Sequence, residues 1–273
     1  MNFAAYKFFD YKYNIENFSS DLFSTPHIIF IILSFLLVPT ISILLRKANH
    51  KKIDKFLKVF SICIAVFEIV KIVWESYYDI TTGRGFNIGG ILPLYTCSLF
   101  IYCLLISAWC KNEKIRNSTL SFLTTISLLA GAIGIVQCNG LNWYPFWTFG
   151  AFYSMIFHLS MFGIGTFLLI SGYKKLNWID MIYAWIPMVI LSLFATPVNY
   201  EHGADYMQIY EGSGVPVFST LAQVLAANKL RFIYTFIMLL TYIPFAGIVV
   251  CISKLVYLIN SKITEKHKSK LNK

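Results

Sequence analysis

The sequence predicts an all-α membrane protein, a polytopic bundle of seven transmembrane helices with its N-terminus outside and its C-terminus in the cytoplasm. Three observations carry that prediction. Of 273 residues, 57% are hydrophobic and 13% charged, where a soluble domain carries roughly 25% charge. Seven apolar runs approach the ~20 residues that cross a hydrocarbon core. The basic residues gather in alternate connectors, as topology control requires.

The expected spans are 26–45, 56–74, 91–109, 120–136, 147–170, 179–198 and 232–259. The second is the least apolar, since it carries Glu68 and Lys71. In the third, Gly89 and Gly90 make a turn and Pro93 opens the helix, where no backbone donor is lost. The fourth is short and can start as early as Arg116. The last is long enough to tilt or to leave the membrane. No composition shift marks a second domain, so residues 1–273 read as one.

Seventeen Lys and Arg residues fall on one side of this arrangement and five on the other. The rich side holds Arg46 to Lys58, Lys111 to Arg116, Lys174, Lys175 and the tail from Lys254 to Lys273. It is therefore cytoplasmic. The same distribution explains the net charge of +10 without nucleic acid. The polar, acidic first 25 residues lack a basic leader, so they do not read as a signal peptide. Twenty-four Phe, 17 Tyr and six Trp suit interfacial belts. Six cysteines show no CxxC, so no disulfide, metal or cofactor is expected. The outer connector 199–231 exceeds the usual loop length and reads as functional or as a lid. Within it, STLAQVLAA suggests a short helix capped by Ser219 or Thr220.

Ionisable groups inside spans point to function. Glu68 and Cys97 each lie six residues from the outer end of their spans, ~9 Å deep, and His158 ~16 Å deep. Asn199 and Tyr200 stand at the same rim. Each has a plain reading: Glu68 paired with Lys71, His158 as a helix–helix donor, Cys97 as packing. The sharper reading joins a thiol nucleophile to a histidine base.

Three stretches, LPLYTCSL (92–99), FHLSMF (157–162) and PVNYEHGADYMQIYEGSGVP (197–216), resemble the YwaF-like family of bacterial seven-span membrane proteins. That family is similar to the eukaryotic transmembrane-protein-164 group and, more distantly, to the androgen-induced membrane hydrolases. The resemblance covers spans two to seven and implies lipid acyl chemistry in a bacterial plasma membrane. It matches a catalytic Cys to Cys97 and a catalytic His to His158. The sequence departs from the family at Tyr95, where His is frequent, and at Asp205-Tyr206-Met207.

The expected function is acyl transfer between membrane lipids, or lipid hydrolysis, opening to the outer leaflet. Cys97 attacks the ester and His158 serves as base. Tyr95, Thr96 or Asn199 donates to the oxyanion, Glu68 orients His158, and Tyr206 is a supporting residue. The alternatives are a small-solute or ion transporter using Glu68, Lys71 and His158, and a non-catalytic scaffold. A retinal receptor is disfavoured because the last span has only Lys254, near its inner end.

Overall fold

A computed structural model describes residues 7–12, 18–213 and 216–271, with side chains to residue 258. The tail cations Lys262, Lys266, Lys268 and Lys270 lie beyond the described side chains, and Lys273 outside the described residues altogether. Among the described residues there are ten α-helices and no strand. They are α1 (Thr25–Leu45), α2 (His50–Thr81), α3 (Ile88–Ile91), α4 (Leu99–Trp109) and α5 (Glu113–Thr124). They continue with α6 (Ile126–Val136), α7 (Phe149–Ile170), α8 (Asp180–His202), α9 (Pro216–Ala227) and α10 (Arg231–Leu271). Five helical stretches are long and apolar enough to cross a membrane: α1, α5–α6 taken together, α7, α8 and the first 28 residues of α10.

Connectors 46–49, 110–112 and 171–179 gather at one end, here the basic end. Connectors 82–98, 137–148 and 203–230 gather at the other, the tyrosine-rich end. α1 is peripheral and buries only His27, Ser34 and Ser42. His27 fastens it: Nδ1 accepts from the Phe23 N–H and Nε2 donates to the Ile135 carbonyl at 2.9 Å. α5 is central, with every residue from Ser118 to Thr124 buried. Its polar side chains are tolerable there because they bond locally. Thr124 and Thr125 donate to carbonyls four residues back.

Those back-bonds bend helices, and they correct the fourth span. The helix starts at Glu113, capped by Asn112, and breaks at Thr125 (φ −125°, ψ −88°) before α6 resumes. α2 runs past both ends of its expected span, from the Asn49 cap to Thr82. Gly83 then takes φ +75°, the left-handed conformation that ends helices. α9 starts at Pro216, not at Ser219 or Thr220. Both hydroxyls donate back to the Pro216 carbonyl, so neither caps the helix.

The largest correction concerns span three. Residues 92–98 are not helical, and α4 spans only 11 residues from Leu99. Pro93 therefore sits inside a break between α3 and α4 and does not open a helix. Its fixed φ and missing N–H disfavour continuation from α3, and the residue before it is pushed to extended backbone. Leu92 is extended, at φ −64° and ψ 138°.

Two ionic latches hold the basic end. Arg116 pairs with Asp54 at 2.6 Å and donates to the Ser107 carbonyl at 2.9 Å. The Tyr173 hydroxyl bonds both Asp54 and Arg116. Burial, then the hydrogen bond to Asp54, pushes the Tyr173 phenol up to about 12, so it remains a donor. In the second latch Lys174, 8% exposed, meets Asp180 at 2.6 Å, and Ser121 donates to the same carboxylate. Asp180→Ala would strand a buried ammonium, a cost of about 3–5 kcal/mol. Thermal unfolding of the purified protein in detergent is expected to shift down sharply for Asp180→Ala, and far less for Asp54→Ala, whose partner Arg116 is a third exposed.

Candidate functional site

The break at 92–98 carries Tyr95, Thr96 and Cys97 just before α4. Leu99 N–H donates to the Tyr95 carbonyl, Phe100 N–H to that of Cys97 and Ile101 N–H to that of Ser98. The N–H groups of Cys97 and Ser98 have no backbone acceptor among the described residues. The thiol and these two backbone donors therefore share the turn that leads into α4.

Charged neighbours come from α2, where Glu68 and Lys71 act on the sulfur. Lys71 lies 2.7 Å from Glu75 and 4.0 Å from Glu68, one turn away on either side. The Tyr153 hydroxyl of α7 donates to Glu68. Glu68 is therefore held by Tyr153 and Lys71 and does not orient His158, correcting that expectation.

His158 is placed differently. Its Nδ1 lies 2.8 Å from the Ser154 carbonyl. A carbonyl only accepts, so Nδ1 carries the proton and Nε2 the lone pair, the tautomer a base needs. The ring lies on Gly134 of α6, where a Cβ would fall 2.0 Å from Cδ2. Along α7, Tyr153 and Phe157 face Glu68 and Phe100, and His158 stands about 100° further round. No hydrogen bond joins Cys97 to His158 in this structure. Nor does one join His158 to Glu68 or Lys71, which interrupts the relay a transporter reading needs.

The oxyanion donors expected from sequence are mostly committed elsewhere. The Tyr242 hydroxyl donates to the Met207 carbonyl at 3.3 Å, so the Thr96 hydroxyl, 2.9 Å away, spends its proton on Tyr242. Asn199 is fully buried; its amide accepts from Tyr206 N–H at 2.8 Å and donates to Tyr206 C=O at 3.0 Å. Both are scaffold. Tyr95 is 40% exposed, with its ring edge on Tyr206 at 4.7 Å. Its hydroxyl and the two backbone N–H groups are the donors that remain.

Tyr206 is the buried post of this end. Its hydroxyl donates to the Ile88 carbonyl at 2.9 Å and accepts from the Leu92 N–H at 3.0 Å. It spans the start of the break. Burial raises its phenol pKa, so it keeps this proton. The segment carrying it is tied on every side. The Asp205 carboxylate accepts from the N–H groups of Tyr210, Glu211 and Ser213. From α10, Tyr234 donates to the Gln208 carbonyl and Thr235 to that of Ile209. These bonds hold Met207 and Gln208 at φ near +60°, an uncommon backbone for residues other than glycine.

The sequence profile of the TMEM164 family matches residues 22–252. The chain belongs to the TMEM164 family. It is accordingly an integral, multi-pass membrane protein, and membership is consistent with an acyltransferase-related role. No curated protein and no solved structure showed significant similarity. In this TMEM164-family chain, the matched region takes in the break, α7 and the Asn199–Tyr206 clamp, the parts described above.

Sequence reasoning missed Glu75, Tyr153 and Tyr242. Glu75 follows Lys71 by one turn, a spacing visible in the sequence once the helix is allowed to run past Trp74. Nothing local to Tyr153 or Tyr242 distinguishes them from belt aromatics. Among the described residues no three His, Cys, Asp or Glu side chains gather as metal ligands.

Tyr206→Phe removes the hydroxyl that serves both Ile88 and Leu92, at a cost of about 1–3 kcal/mol. The expected result is a lower melting temperature together with faster maleimide labelling of Cys97. Unchanged labelling would show that the break does not depend on this phenol.

Proposed function

We propose that this protein is a thiol-dependent acyltransferase or hydrolase of membrane lipids, with Cys97 as nucleophile. The observation that carries the reading is the placement of Cys97 in the turn just before α4, where the N–H groups of Cys97 and Ser98 have no backbone acceptor among the described residues. In this reading the thiolate forms a bond to the ester carbonyl carbon of a lipid. The carbonyl oxygen takes the negative charge, steadied by the α4 N-terminus and the Tyr95 phenol. When the tetrahedral intermediate collapses, the C–O bond of the ester breaks. The alkoxide takes the proton given up by the thiol and leaves as a lysolipid. The acyl-thioester is then passed to an acceptor hydroxyl or amine, or to water.

His158 is assigned as the base. Its tautomer, with the lone pair on Nε2, supports this. Its contact with Cys97 is assigned to the substrate-bound state, since catalytic hydrogen bonds commonly tighten only then. The charges that act on the sulfur, Glu68 and Lys71, favour a second reading in which Glu68 accepts the proton.

The reading also carries the finer topology: seven crossings, with α2 and the broken α3–α4 unit as two of them, in a bacterial plasma membrane. The tyrosine-rich end faces out and the basic end faces the cytoplasm, supported by the 17-to-5 partition of cations. Cys97 then opens to the outer leaflet, where phospholipids are the substrates.

Protein purified into phospholipid nanodiscs is expected to acquire a hydroxylamine-sensitive acyl group. Cys97→Ala should remove it entirely while leaving the melting temperature in place. Loss of a general base costs ~10²–10⁴-fold in rate. His158→Asn should fall in that range and Glu68→Gln should not. The reverse order would transfer the base role to Glu68. Equal acyl loading of wild type and Cys97→Ala would end the proposal.

A further inference from the structure

A cleft of about 660 Å³ runs between α4, α5 and α8. Two of its lining residues, Leu94 and Leu99, bracket the turn that carries Cys97. From there the wall continues along one face of α4 through Tyr102, Cys103 and Ile106, spaced three or four residues apart as a single helical stripe. The α8 wall extends from Tyr183 to Phe194, eleven residues or ~16 Å of helix. The single charged lining residue, Lys114, is at the far, basic end.

We propose that this cleft holds the acyl chain of the lipid whose ester reaches Cys97, and that its depth sets the chain length accepted. The inference rests on the acyl-transfer reading and adds to it a binding site and a substrate class. The shape favours one unbranched chain: the cleft is long, its walls are apolar, and its polar end is distant from the reacting turn. Its volume lies within the range of small-molecule sites. A charged headgroup is disfavoured in the cleft, because Ser118, Thr119 and two tyrosines are the only polar additions to its mainly aliphatic walls and Lys114 stands at the far end. The chain therefore enters tail first, and its carbonyl stays at the tyrosine-rich end beside residues 94–99. The carbonyl carbon then bonds to sulfur as described above, and the chain stays seated until the acceptor takes it.

Ile106 and Ile190 line the cleft and are 38% and 52% exposed, so a larger ring at either position need not overpack the core. Purified protein in nanodiscs would be offered octanoyl and oleoyl phosphatidylcholine, each with a labelled acyl group, and the hydroxylamine-sensitive load measured. In Ile106→Trp and Ile190→Trp the oleoyl-to-octanoyl loading ratio is expected to fall about tenfold, with octanoyl loading retained as the check on folding. An unchanged ratio, with wild type loading normally, overturns the cleft and leaves Cys97 chemistry standing. A second arm uses phosphatidylcholine with a diazirine at the oleoyl terminus. Crosslinks to residues 102–106 that vanish in Ile106→Trp support the cleft even if no acyl group ever reaches Cys97, the outcome that would sink the transfer reading alone. Crosslinks that persist in Ile106→Trp count against the cleft whatever the loading shows.

Discussion

The site depends on one constraint: polar backbone in an apolar surrounding must find partners within the protein. Residues 92–98 leave the helix and so lose the bonds a continuous span would supply. The Tyr206 hydroxyl replaces two of them, one on the Ile88 carbonyl and one on the Leu92 N–H. That hydroxyl can be placed only because Asn199 grips the Tyr206 backbone. Asp205, Tyr234, Thr235 and Tyr242 then fix the chain around it. The segment after α8 is thus the complement of the broken helix, and each is incomplete without the other.

Much of the layout was legible from hydropathy and charge. α1, α7 and α8 begin within two residues of their expected starts, because apolar length sets a crossing helix. The failures have a common cause. Composition registers how apolar a run is but does not register where its backbone bonds go. Thus 91–109 looked like one helix, although the turn residues of GGILPLYTCS were present and Pro93 disfavours helix for the residue before it. Thr125 likewise hid a break inside an apolar run. α2 was read too short because its apolar run ends at Trp74, just before Glu75 and Asp79. In the structure Glu75 pairs with Lys71, and Asp79 accepts from Tyr11.

At the site, the structure gathers Tyr95, Thr96, Asn199 and Tyr206 at one end of the bundle, with partners that residue type alone does not disclose. Cys97 stands just before the start of α4. Asn199 and Thr96 were nominated as donors because amides and hydroxyls can donate, yet their hydrogens are already committed to Tyr206 and Tyr242. Residue type states a capacity, and only three-dimensional placement shows whether it is spent. Glu68 shows the same point from the acidic side, since its neighbours on α2 and α7 occupy the carboxylate expected for His158.

Gly134 has a further consequence for sequence variation. The His158 ring fills the volume that any side chain at 134 would need, with Cδ2 at 2.0 Å from the nearest possible Cβ. Glycine at 134 and this seating of the imidazole are therefore a single trait written at two positions 24 residues apart. A natural variant with alanine at 134 must turn its imidazole off α6 or part α6 from α7. Reading that one position across related chromosomes would therefore sort the chains that keep this histidine seat from those that have abandoned it.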